Sequence, residues 1–378
     1  CLNKSNNKTY NFKIIINNKN MKKIVIFLSF LLVFSLFCGN FNFAKAEDNY
    51  YYTNSVEHLF THCLLAYPEI ALSKNNEMSL HYNQDCITHL EFKSILKELY
   101  KNDYALVDIN KCFKIENGKA VKNKIKMPKG KKPIIFSFDD VNYDHKKLHL
   151  GMIDKLILDE NGNIAELTNI NGEDKITYDR EFVCIMEDFI EKHPDFSIDG
   201  AKGTLNLTGY DGILGYRTQK SNTKNRESEI AKAQEVVNKL KNNGWTFASH
   251  SYGHYHMKKI SVEAFKKELE SWDTEVKPIV GETQIYVYPY GEWEMVDDFG
   301  NLSKKHKLLE EYGFKLFCGV GMQQFYSYMP FNKNIKEKSL FMDRKVIDGF
   351  TLKNRKTSLL PLFDTSIVYD YSNRSLIN

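Results

Sequence analysis

Apolar residues run along this chain in two rhythms, short near-continuous clusters and longer stretches at helical spacing, and the two alternate. Thr88-His89-Leu90-Glu91 has the form of a capping box, and Leu90, Phe92, Ile95, Leu96 and Leu99 follow at the spacing of one helix face. Together they predict a helix over 88–101, with a short strand over 104–107 after it. A basic, glycine-containing loop, Lys129-Gly130-Lys131-Lys132, then leads through Pro133 into Ile134-Ile135-Phe136-Ser137-Phe138. Such an unbroken apolar run, bounded by a turn, predicts a strand buried on both faces, as in a parallel sheet.

The same reading continues downstream. Asp159-Glu160-Asn161-Gly162 lies between apolar runs at 155–158 and 163–167 and predicts a hairpin. Helical patterning covers 180–192, 227–242, 261–276 and 304–312; strands are expected near 203–207, 245–249, 285–288 and 315–318. Strands alternating with helices imply an α/β fold with a largely parallel sheet. Neither an internal repeat nor a low-complexity linker interrupts residues 47–378, which read as one domain with a core over about 56–350.

Residues 1–46 differ in kind. Met21, Lys22 and Lys23 precede an apolar run over 24–38 and then Ala44-Lys45-Ala46, the order of a secretory signal peptide. The run is shorter than the ~20 residues a membrane span requires. The expectation is a leader over 1–20, a signal peptide over 21–46 and a product, secreted or at the cell surface, with no transmembrane span. Ser35-Leu36-Phe37-Cys38 has the outline of a lipoprotein box, but Phe37 is too bulky for the position before the modified cysteine.

Composition sharpens this. With 42% hydrophobic and 13% aromatic residues the chain is neither disordered nor collagenous nor a coiled coil. Its formal charge of +4 invites a nucleic-acid partner. Seven lysines and no acid fall within residues 1–46, however, leaving 45 basic against 48 acidic residues beyond them, and that invitation lapses. Cys63, Cys86, Cys112, Cys184 and Cys318 show no C-x-x-C pair or metal-ligand spacing and read as buried free thiols.

Three polar clusters stand directly after predicted strands: Asp139-Asp140, His250-Ser251-Tyr252-Gly253-His254 and Tyr288-Pro289-Tyr290-Gly291. In parallel α/β folds the carboxyl ends of strands converge on one face, where sites are built. His250 and His254, four residues apart, would share one side of a helical turn and converge on one cation; with a carboxylate they form a two-His, one-carboxylate set that leaves a position open for water. His256, two residues on, is a competing ligand or a residue behind the site.

Phe136-Ser137-Phe138-Asp139-Asp140, His250-Ser251-x-x-His254 and Tyr288-Pro289-Tyr290-Gly291 resemble, in order, the first three motifs of the polysaccharide deacetylase (NodB-homology) family, of carbohydrate esterase type. The resemblance implies a distorted (β/α) barrel of seven or eight mostly parallel strands, with an insertion between the first and second motifs. It further implies a metal-dependent hydrolase that removes N-acetyl groups from a GlcNAc-containing polysaccharide or cell-wall glycan. In that likeness Asp139 is the general base, and Asp140, His250 and His254 hold the metal, Zn²⁺ by preference with Co²⁺, Ni²⁺ and Mn²⁺ as alternatives. The Tyr290 backbone N–H helps hold the oxyanion, while Ser251, Pro289 and Trp293 belong to the loop and groove around the substrate. Tyr143, Tyr210 and Tyr216 are weaker groove candidates.

Two departures stand out. Val287 occupies the place of the family's third-motif Arg, so Arg344 or Arg217 would have to bring that charge from elsewhere. The Leu-x-His near the C-terminus, which supplies the general acid, is absent. Leu59-Phe60-Thr61-His62 fits the N-terminal variant of circularly permuted members, making His62 the expected acid, with His145 and His149 as rivals. The alternatives are a homologue that binds carbohydrate with impaired turnover, and an amidase or esterase for a small acylated metabolite.

Overall fold

A computed structural model of the protein describes residues 49–376 apart from 53, 55, 298, 300, 322–337 and 355. The expected leader and signal peptide lie outside the described residues.

Seven parallel strands close into a barrel: β1 (Glu57–Thr61), β2 (Lys132–Asp139), β3 (Thr204–Leu207), β4 (Thr246–Ser249), β5 (Ile285–Val287), β6 (Leu316–Val320) and β7 (Leu340–Val346). Their order around the ring is their order in the chain, and β7 closes it by pairing with β1. An eighth parallel strand, Tyr104–Leu106, pairs with the start of β2 outside the ring.

The two-residue period of β2 decides what faces where. Phe136 and Phe138 turn outward to the helices: Phe138 stacks on Phe182 at 3.8 Å and Phe92 meets both β2 rings edge-on. Ser137 and Asp139 turn inward, where Ser137 Oγ lies 2.9 Å from His58 Nε2. The capping box forms as read: Thr88 Oγ1 accepts from Glu91 N and the Glu91 carboxylate accepts from Thr88 N, starting α1 (His89–Lys101). The other main helices are α2 (Phe182–Lys192), α3 (Arg226–Asn242), α4 (Val262–Glu275) and α5 (Lys304–Glu311).

The long stretch between the first two motifs is only partly an insertion. It carries β3, α2 and α3 of the barrel layers, and the added piece is a three-stranded antiparallel sheet, Lys155–Leu158, Ile164–Ile170 and Glu173–Thr177. Its expected hairpin turns at Gly162, whose φ of 74° suits a residue without Cβ. Beyond the expected strands lie β7, an outer antiparallel pair of Asn49–Tyr52 with Ile125–Pro128, and a hairpin of Phe113–Glu116 with Lys119–Lys122. Near the end of the described chain Arg374 is buried: its Nε and Nη2 each donate to Glu91 at 2.7 Å, and further donations reach the carbonyls of Asn83 and Cys86. The five cysteines among the described residues are free and buried. Among the described residues no helix is long and apolar enough to cross a membrane.

Candidate active site

Asp139 ends β2 inside the barrel mouth, 2% exposed. Arg344, on β7, grips it with two hydrogen bonds, Nη1 to Oδ1 at 2.7 Å and Nη2 to Oδ2 at 3.0 Å. Asn206 of β3 donates to Oδ1 at 2.6 Å. Burial alone would raise the Asp139 pKa, but the Arg344 guanidinium and His250 outweigh it and hold the carboxyl far below the ordinary carboxylate range. Arg344 thus brings positive charge to the carboxylate that Val287 cannot supply. Arg217 has other work: its guanidinium donates to the carbonyls of Asp211 and Tyr143 and pins the loop after β2.

The strand's alternation stops at Asp140, where φ is 58°. Both adjacent carboxylates therefore reach one cavity instead of opposite faces of the sheet. Ligand atoms of Asp140, His250 and His254 all lie within 4.8 Å of one another. His250 Nδ1 sits 2.9 Å from the Val287 carbonyl, which can only accept, so Nδ1 carries the proton of that hydrogen bond and Nε2 is the nitrogen left to face the carboxylates. Burial lowers His254 to about 4, with His250 adding to the effect against the pull of Asp140, so this ring is neutral near pH 7. Asp140 Oδ1 is buried without a hydrogen-bond partner. Two imidazoles and an orphaned carboxylate oxygen fit a divalent cation.

The two histidines do not share a helical turn, as their spacing suggested. Residues 250–254 form a loop in which Ser251 (φ 59°) and His254 (φ 54°) take left-handed conformations, and Ser251 Oγ accepts from His254 N at 3.0 Å. Convergence comes from backbone bends at the strand end. His256 is no ligand: it stacks on Tyr290 at 3.8 Å and pairs with Glu292 at 2.9 Å.

A cavity of ≈620 Å³ opens over these groups. His62, just past β1, lines it, its Nδ1 3.3 Å from the Asp85 carbonyl. Tyr290 also lines it, 56% exposed, with φ 59°. In the turn after Pro289 it is Gly291 N and Glu292 N that bond back to Tyr288 and Pro289.

Residues 218–311, spanning the second and third clusters, match the sequence model of the family Polysaccharide deacetylase. Over those residues the chain is similar to polysaccharide deacetylases. Similar solved structures include the Streptococcus pyogenes deacetylase PplD in complex with acetate, at 13% identity over 79% of this chain and 94% of that one, TM-score 0.44. Others are a family 4 carbohydrate esterase from Streptomyces lividans in complex with acetate (16%; 32% and 50%; 0.21) and BA3943 of Bacillus anthracis, a CE4 family pseudoenzyme (11%; 48% and 58%; 0.24). No curated protein matches the chain.

Other residues expected at the site lie elsewhere. Ser251 and Pro289 are buried behind the cavity lining, and half-buried Trp293 packs edge-on against Phe341 at 5.5 Å. Tyr143 and Tyr216 are buried, and Tyr210, which donates to Asp144, is also outside the lining. The rival histidines are drawn off: His145 Nδ1 lies 2.9 Å from Asp211, and His149 Nδ1 3.0 Å from the Asn169 carbonyl. Sequence reasoning passed over Asn206 and Lys147. The first had a signal, a lone amide between Leu205 and Leu207 in a buried strand.

Proposed function

We propose that the protein is a metal-dependent hydrolase that removes N-acetyl groups from a GlcNAc-containing glycan, working outside the cell after loss of a signal peptide. The observation that carries this reading is the pairing of an Arg-tethered carboxylate, Asp139, with the Asp140, His250 and His254 donor set in one cavity. A divalent ion held by those three residues supplies Lewis acidity toward the acetyl carbonyl and lowers the pKa of a water molecule.

Asp139, kept ionised by Arg344, takes the proton of the attacking water as its oxygen bonds to the acetyl carbon. The Tyr290 N–H faces the developing oxyanion. The C–N bond then breaks while His62 protonates the departing nitrogen, leaving acetate and a free amine. The hydrogen bond between His62 Nδ1 and the Asp85 carbonyl orients Nε2 for that donation. The place of β1, between β7 and β2, brings His62 to the same cavity as Asp139.

The test is acetate release from N-acetylated chitooligosaccharides. Release abolished by a chelator and restored by added Zn²⁺ is expected. No release with Zn²⁺, Co²⁺, Ni²⁺ or Mn²⁺, or release indifferent to chelation, overturns the reading.

A further inference from the structure

The charged groups lining the cavity are nearly all spoken for. Asp139 is held by Arg344, Asp85 lies 3.5 Å from His81, Asp348 accepts from Thr351 N, and Asp140 belongs to the cation-binding set with His250 and His254. Lys147 is the exception. Among the described residues its ammonium has neither an ion pair nor a hydrogen bond, although it lines the cavity beside Asp140 and Cys86. Tyr82, also in the lining, has a buried hydroxyl with no partner.

The loop that carries Lys147 is firmly placed. Leu214 N and Gly215 N bond to the carbonyls of Val141 and Asn142, Arg217 donates to the Tyr143 carbonyl, and Asp144 Oδ1 accepts from Lys146 N. On its far side Tyr67 N bonds to the Gly151 carbonyl, and Gly151 lies so close to Ala71 that a Cβ would clash. An ammonium presented from so fixed a support is preorganised for a ligand.

Filling the cavity strips water from Lys147. A neutral sugar would leave the cation desolvated with no hydrogen-bonded partner and only the pull of Asp140, which is costly; a carboxylate would replace the lost water with a charge-assisted hydrogen bond. We propose that Lys147 anchors a carboxylate of the glycan, so that the preferred substrate is an acidic N-acetylated glycan with a carboxylate near the acetylated amine. This rests on the deacetylase reading above and narrows its substrate class.

Binding separates the two. The probes are a hyaluronan tetrasaccharide, in which N-acetylglucosamine alternates with glucuronate, and its carboxyl methyl ester, which differs only in charge. Both are titrated calorimetrically into zinc-loaded protein carrying His62→Ala, which slows turnover about 100-fold and leaves the Asp139–Arg344 pair intact. The acid should bind about tenfold or more tighter than the ester, a typical effect of one desolvated charged hydrogen bond. Lys147→Met should bring the two within about twofold, and Lys147→Arg should keep the preference for acid. Equal binding of acid and ester, or a preference that survives Lys147→Met, overturns the inference whether or not acetate is released by the unsubstituted protein. An acid preference lost in Lys147→Met but accompanied by no acetate release upholds it and counts against the deacetylase reading instead.

Discussion

Arg344 and Asp139, 205 residues apart, meet as a two-pronged ion pair in the barrel interior, both almost wholly withdrawn from water. Ser137 and Asn206 complete the cage through Arg344 Nη1 and Asp139 Oδ1. A pair this buried costs much to desolvate, and its partners are worth most to each other when both are present.

Removing one member should therefore be worse than removing both. Arg344→Met is expected to destabilise the protein by about 3 kcal/mol or more, because Asp139 is left buried and uncompensated. Adding Asp139→Asn should recover part of that loss. Urea melts of the two variants check this. Arg344→Lys, which cannot grip both oxygens, should fold better than Arg344→Met yet still turn over far more slowly than the unsubstituted protein. A double variant no more stable than Arg344→Met contradicts the coupling.

Metal content should separate His254 from His256. His254→Gln removes a donor whose nitrogen lies 3.7 Å from Asp140 Oδ1, and purified protein should lose most of its zinc, as measured by plasma emission spectrometry. His256→Phe keeps the stack on Tyr290 and removes only the pair with Glu292, so zinc should stay near stoichiometric. Equal zinc in both variants would show that the ligand set is wrong.

His62→Ala should cut acetate release by about 100-fold or more, the usual worth of a positioned general acid, and leave zinc content unchanged. The same variant with full turnover would pass the role to another group.

The stability of the fold should fall in mild acid, and His89 gives part of the reason. Burial first, then the nearby Arg180 and Lys93, lower its pKa from 6.5 to about 4. The unfolded chain takes up a proton near pH 6.5 and the folded one only near 4, so between these values the unfolded state binds more protons. Its contribution is fully present above pH 6.5 and is lost progressively as pH falls toward 4. His89→Gln should flatten that slope in thermal melts taken across the interval. An unchanged slope removes His89 from the account.

Much of this was legible because it is local. The capping box names its helix, and the run at 134–138 names a strand buried on both faces. The three polar clusters after strands name the site. What stayed hidden depended on distant partners. β7 contains Asp343-Arg344-Lys345, three charges in a row that hide a strand, and although Arg344 could be named as one of two sources of the missing charge, only the Asp139 carboxylate across the barrel explains why it is buried. Likewise, i,i+4 spacing suggests a helical turn for His250 and His254, whereas left-handed backbone at Ser251 and His254 brings them together. Lys147 stands among other lysines in the sequence and gains meaning only from the cavity beside it.

The barrel closes by laying β7 beside β1, and two of the residues proposed to act in hydrolysis straddle that seam: His62 leaves β1, and Arg344 sits on β7. Without β7 the ring has no closing strand, and Asp139 loses its guanidinium partner. One strand thus both shuts the barrel and completes the charge pair at its mouth.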